Sequence, residues 1–123
     1  MTSKPLIVTV DCNRRNLEIL AQFLHKAGYT SLGASTLEEF TQVLNQYADK
    51  IELALVDISG FDSSIWQICQ RLQTLGIAFL IVSPRQSASI AQTSLNYGAR
   101  SMLVKPLAIK ELLGLLQSLL GSA

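Results

Sequence analysis

The chain has 123 residues, 49% of them hydrophobic and 15% charged, with a formal net charge of +1. That length suits one domain with a sizeable core, and the composition excludes a disordered chain. The scattered charge gives no electrostatic case for nucleic acid or a membrane surface. No apolar run approaches a transmembrane span, and MTSKPLIVTV lacks a signal-peptide layout, so the cytoplasm is the expected compartment.

Leu6–Val10 predicts a first apolar strand ending in an acid, Asp11. Asn13 is placed to cap a helix carrying Leu17, Leu20, Phe23, Leu24 and Ala27 at helical spacing, and Gly28 stops it. His25 lies on this helix without a role. Tyr29–Ala34 predicts a weaker, more polar strand suited to a sheet edge. Ser35-Thr36-Leu37-Glu38 reads as a capping box opening a second helix to about Tyr47. Ile51–Val56 is a continuous apolar run ending in Asp57, followed by the turn residues Ser59 and Gly60. A strand buried on both faces reads this way and belongs in the middle of a parallel sheet.

Asp62, Ser63 and Ser64 offer caps for a third helix over about 64–75, with Ile65, Ile68, Cys69 and Leu72 on one face and Trp66 off it. Cys69 is therefore expected as a buried thiol, and its distance in sequence from Cys12 suggests neither a disulfide nor a metal pair. Ile77–Val82 predicts a fourth strand ending in Ser83-Pro84. Ser87 can cap a helix over about 88–97, closed by Gly98. Ser101–Val104 predicts a fifth strand ending in Lys105-Pro106, and the last helix is expected to start at Pro106. Ile109, Leu112, Leu113, Leu115, Leu116, Leu119 and Leu120 share one side of that helix.

Five strands alternating with five helices predict a single α/β domain over residues 1–123, a doubly wound parallel sheet in the order 2-1-3-4-5. In that order Asp11, Asp57, Ser83 and Lys105 reach one rim, at the carboxyl ends of the strands where such sheets hold their ligands. The set suits phosphoryl transfer. Asp57 is a nucleophile for a phosphoryl group, and the lysine and serine hold its oxygens. Asp11 and Asp57 offer carboxylates to Mg²⁺, with the Ser59 backbone carbonyl as a further weak ligand. Taken singly, each has a plainer reading: Asp11 as a helix cap, Asp57 as a turn former, Ser83 as a turn hydroxyl, Lys105 as a solvated charge. It is the convergence of the four that argues for a site.

VTVD (Val8–Asp11), LALVD (Leu53–Asp57), LIVS (Leu80–Ser83) and LVKP (Leu103–Pro106), with Gly98-Ala99 before the last strand, resemble the receiver domains of two-component response regulators along essentially the whole chain. The resemblance implies Asp57 as phosphoacceptor, Ser83 as switch hydroxyl, Lys105 as the lysine that pairs with the phosphate and a cis Lys105–Pro106 bond. It also implies a histidine kinase or phosphotransfer protein as partner, and a dimer or effector contact on the fourth helix, fifth strand and fifth helix. Tyr97, Met102, Leu113 and Leu115 are the candidate residues of that contact.

The departures mark the chain as an atypical receiver. Cys12 stands where the family has a second acid, and a thiol is a poor ligand for hard Mg²⁺, so the metal is expected to bind weakly or not at all. Met102 replaces the aromatic switch residue, Ser59-Gly60-Phe61 replaces a Met-Pro turn, and Pro84 follows the serine. Arg14, Arg15 and Arg85 near the rim are candidates to compensate for the lost charge. Two functional readings follow: a receiver that takes phosphate on Asp57, and a pseudo-receiver that acts as a phosphorylation-independent interaction module. A haloacid dehalogenase-type phosphohydrolase would want an acid where Ser59 stands. A flavodoxin would want a phosphate loop where Cys12–Asn16 stands.

Overall fold

The computed structural model describes residues 4–121. Five strands, β1 (Leu6–Val10), β2 (Thr30–Ala34), β3 (Ile51–Asp57), β4 (Ala78–Ser83) and β5 (Ser101–Val104), alternate with five helices. The helices are α1 (Arg14–Lys26), α2 (Leu37–Tyr47), α3 (Ile65–Thr74), α4 (Ala88–Asn96) and α5 (Ile109–Leu120). All strand pairs are parallel and the order is β2-β1-β3-β4-β5, as the alternation predicts. The weak β2 lies at one edge, and β3 lies in the centre, buried on both faces apart from Glu52.

Alternation along each strand splits the core in two. Val8, Val10, Ala54, Val56, Phe79 and Ile81 meet Phe40 and Leu44 of α2 and Ile65, Cys69 and Leu72 of α3. Ile7, Leu53, Leu55, Leu80, Val82 and Leu103 meet Leu24 of α1 and Leu112 and Leu116 of α5 on the other face. Cys69 is buried and free, and burial pushes its thiol up to about 12. Trp66 is half-buried because its ring stacks on Tyr97, with centroids 5.5 Å apart.

The helix starts differ from expectation at three places. Asn13 and Ser87 cap α1 and α4 as predicted, accepting from the Asn16 and Ile90 amides. At α2 the capping pair lies one residue later. Thr36 Oγ1 accepts from the Glu39 amide (3.0 Å), and Glu39 reaches back to the Ser35 amide and hydroxyl (2.8 and 2.9 Å). At α3, Ser64 makes no side-chain cap; Asp62 accepts from the Ser64 amide (2.9 Å) instead. The last helix begins at Ile109 rather than Pro106, with Ala108 in extended conformation before it. Ile109, placed on the core side of the helix by its spacing, is 46% exposed and lies on the cavity wall at the strand ends instead of in the core.

Glu39 also accepts from Arg14 Nη2 (2.7 Å), which ties α1 to α2. The Ser35 amide, the Arg14 guanidinium and the Ser35 hydroxyl together lower the Glu39 carboxyl from 4.5 to about 2. A carboxylate whose value falls on folding stabilises the fold fully above its unfolded value and loses that contribution as pH drops through the folded one. Glu39→Gln is therefore expected to lower stability at neutral pH, and its urea midpoint should converge on that of the parent as pH falls from about 4.5 towards 2. A gap that persists unchanged at the acid end would show that the carboxylate's charge is not what stabilises this corner.

Candidate functional site

Three of the four convergent residues meet at the carboxyl ends of β1, β3 and β5. Asp57, the last residue of β3, is 5% exposed. Its Oδ2 lies 2.5 Å from Lys105 Nζ, and its Oδ1 accepts from the Ser59 amide (2.9 Å). Lys105 is aimed there by the turn after β5: its amide donates to the Ser83 carbonyl (2.9 Å), and the Lys105–Pro106 bond is cis, as expected. Burial alone would depress the Lys105 ammonium, but the hydrogen bond and charge of Asp57, with the charge of Asp11, outweigh it and raise the value. Asp11 is buried beside them, its Oδ1 accepting from the Asn13 amide (2.9 Å). Burial raises its carboxyl, the Asn13 amide opposes this, and the Asp57 charge adds to the rise.

Ser83 is not brought to this group. It is fully buried, and its hydroxyl donates to the Arg85 carbonyl (2.7 Å). The pleat accounts for this. Asp57 falls in the same alternation set as Leu53 and Leu55, on the α1/α5 face, while Ser83 follows Phe79 and Ile81, which face α2 and α3. The arginines do not reach the group either: Arg14 is engaged by Glu39, and Arg15 and Arg85 are exposed.

Cys12 is exposed and free, next in sequence to Asp11. Its Sγ donates to the Ser59 carbonyl (3.2 Å), the oxygen expected to serve a metal. Gly60 makes this approach available. It has φ +82°, and a Cβ there would lie 2.5 Å from Cys12 Sγ. Gly60→Ala therefore carries two separable costs, the left-handed backbone and the clash. The expected loss is about 2–3 kcal/mol by urea denaturation, falling to about 1–2 kcal/mol in a Cys12→Ala background, where only the backbone cost remains. Equal losses in both backgrounds would mean that the thiol and the turn are not coupled.

The sequence reading missed the wall beside this group. Ile19, 56% exposed, and Ile109 line one cavity with Leu20, Phe23 and Leu107, and its inner end is Asp11, Asp57 and Lys105. The signal available was Ile19, an apolar residue off the stripe of its helix.

A metal ion does not fit the pocket as it stands. The Ser59 carbonyl faces a thiol, Lys105 covers one oxygen of Asp57, and among the described residues no group of three or more His, Cys, Asp or Glu side chains is arranged to hold an ion.

No family model and no curated protein matches the chain by sequence. Solved structures do match. A CheY-like response regulator receiver domain protein from Methanospirillum hungatei has 26% identity and a TM-score of 0.83, over 94% of this chain and 93% of that one. A two-component response regulator from Clostridium difficile has 21% identity and a TM-score of 0.84, over 95% and 96%. A pilus assembly-related protein from Burkholderia pseudomallei has 18% identity and a TM-score of 0.83, over 100% and 94%. The chain has the fold of the receiver domains of two-component response regulators and is similar to them over nearly its whole length. Its likeness is to signalling domains rather than to classical enzymes. Among the described residues, no helix is long and apolar enough to cross a membrane.

Proposed function

We propose that the domain receives a phosphoryl group on Asp57 from a histidine kinase or phosphotransfer partner in the cytoplasm and signals through the change this causes. The observation that carries the reading is the Asp57–Lys105 pair, a nearly buried carboxylate at a strand end with a lysine ammonium 2.5 Å away. An Asp57 oxygen attacks phosphorus, a new O–P bond forms, and the donor's P–N bond breaks with the electron pair leaving on the imidazole. The Lys105 ammonium then neutralises the phosphoryl oxygens. Mg²⁺ is proposed to bind weakly or not at all. Phosphoryl donors with Asp57→Asn as control test the reading. The alternative, a pseudo-receiver acting as an interaction module, draws support from Cys12, whose thiol sits on the Ser59 carbonyl.

An output or dimer contact on α4, β5 and α5 belongs to the same proposal, with a narrower apolar surface than the spacing suggested. Tyr97 stacks on Trp66, Met102 packs against the α2/α3 core and Leu115 against the α1/α5 core. Leu113, half-buried and in neither cluster, is the proposed centre of the contact.

A further inference from the structure

We infer that the groove between α1 and the β5–α5 loop binds a small amphipathic organic cation, with its ammonium on Asp11 and its apolar body along the groove. The groove encloses about 510 Å³. That is within the range of small-molecule sites, which are mostly apolar clefts with a few convergent polar groups. Ile19, Leu20 and Phe23 form one wall, and Leu107 and Ile109 form the other. Among the described residues, Ile19 and Ile109 are two of the four large exposed hydrophobic residues, and both line this one cleft. Two exposed isoleucines on opposite walls of one cleft point to an apolar occupant.

Charge selects the head group. The polar end holds two acids, Asp11 and Asp57, one lysine, and the neutral Asn16, whose side chain hydrogen-bonds Asp11. Lys105 is committed to Asp57, which leaves Asp11 without a cation at hydrogen-bond distance among the described residues. A divalent ion would supply that charge, but the thiol on the Ser59 carbonyl disfavours a hard metal. An ammonium needs no fixed set of oxygen ligands and donates up to three hydrogen bonds, so it fits beside one carboxylate where the metal does not. The inference does not require Asp57 to accept phosphate.

The test is a titration of the intact domain with three probes of one skeleton, 4-phenylbutylamine, 4-phenylbutanol and 4-phenylbutyrate, followed by amide shifts in two-dimensional NMR. The amine is expected to saturate and to shift amides of α1 and of the loop before α5, with affinity about tenfold above the butyrate. Ile109→Ser alters an exposed side chain and should weaken the amine about fivefold. Asp11→Asn should erase the advantage of the amine over the alcohol while leaving the alcohol's own affinity in place. The inference is overturned if the butyrate binds as well as the amine, if the shifts fall elsewhere, or if no probe binds by about 10 mM. It also falls if only a lysine-bearing amphipathic peptide shifts these amides, since the occupant is then a partner protein. No phosphoryl donor is present, so failure of Asp57 phosphorylation and failure of this site are read separately.

Discussion

Asp57→Asn is expected to abolish a phosphoryl adduct that the parent chain forms with acetyl phosphate or phosphoramidate, as read by intact mass. The asparagine keeps the size of the side chain but removes the anionic nucleophile. It also leaves Lys105 without its partner at 2.5 Å. The variant should remain folded, because Asp57 lies at the end of β3 and the asparagine oxygen can still accept from the Ser59 amide. Lys105→Met should slow adduct formation without removing the nucleophile, which separates the roles of the pair. An adduct that persists in Asp57→Asn places the phosphate on another residue. No adduct in the parent chain, with or without Mg²⁺, leaves the pseudo-receiver as the reading.

Cys12→Asp is expected to tighten Mg²⁺ by at least about tenfold, measured by calorimetry or by Trp66 fluorescence, because affinity for hard cations follows the number of charged oxygen ligands. The substitution removes the thiol from the Ser59 carbonyl and adds a carboxylate in its place. Without metal it should destabilise the domain, since Asp11 already lies in the field of Asp57. Mg²⁺ should then restore that stability by mass action. An unchanged affinity would mean that residue 12 does not stand at the metal position.

The fold was legible because its signals are redundant. Each strand but the polar edge strand β2 is a short apolar run followed by or ending in a polar residue, each of the first four helices is closed by a glycine or by a turn before the next strand, and the alternation admits few topologies. Asp11, Asp57 and Lys105 were legible for the same reason, since position at a strand end requires only correct element boundaries. Side-chain direction at those ends was harder. Ser83 ends a strand as surely as Asp57 does, but the pleat turns it to the other face. The contact between Cys12 and Ser59 joins residues 47 apart, so no local pattern announces it. The start of α5 was misplaced because proline is permitted in a first helical turn but does not require one. Helical spacing alone put Ile109 on the core side of α5 and hid the groove it lines.

The split of the rim between the two faces of the sheet has a consequence for how an event at Asp57 can be relayed. Asp11, Asp57 and Lys105 open towards α1 and α5, while α2 and α3 lie behind a barrier of packed strands. Ser83 is the rim residue whose side chain belongs to that far side and whose backbone carbonyl holds the Lys105 amide. It touches both compartments at once. The Lys105 amide on the Ser83 carbonyl and the Ser83 hydroxyl on the Arg85 carbonyl thus form a continuous hydrogen-bonded link from the Asp57 side to the turn before α4. The serine that the pleat withholds from the pocket therefore joins the two faces of the sheet by its backbone on one side and its hydroxyl on the other.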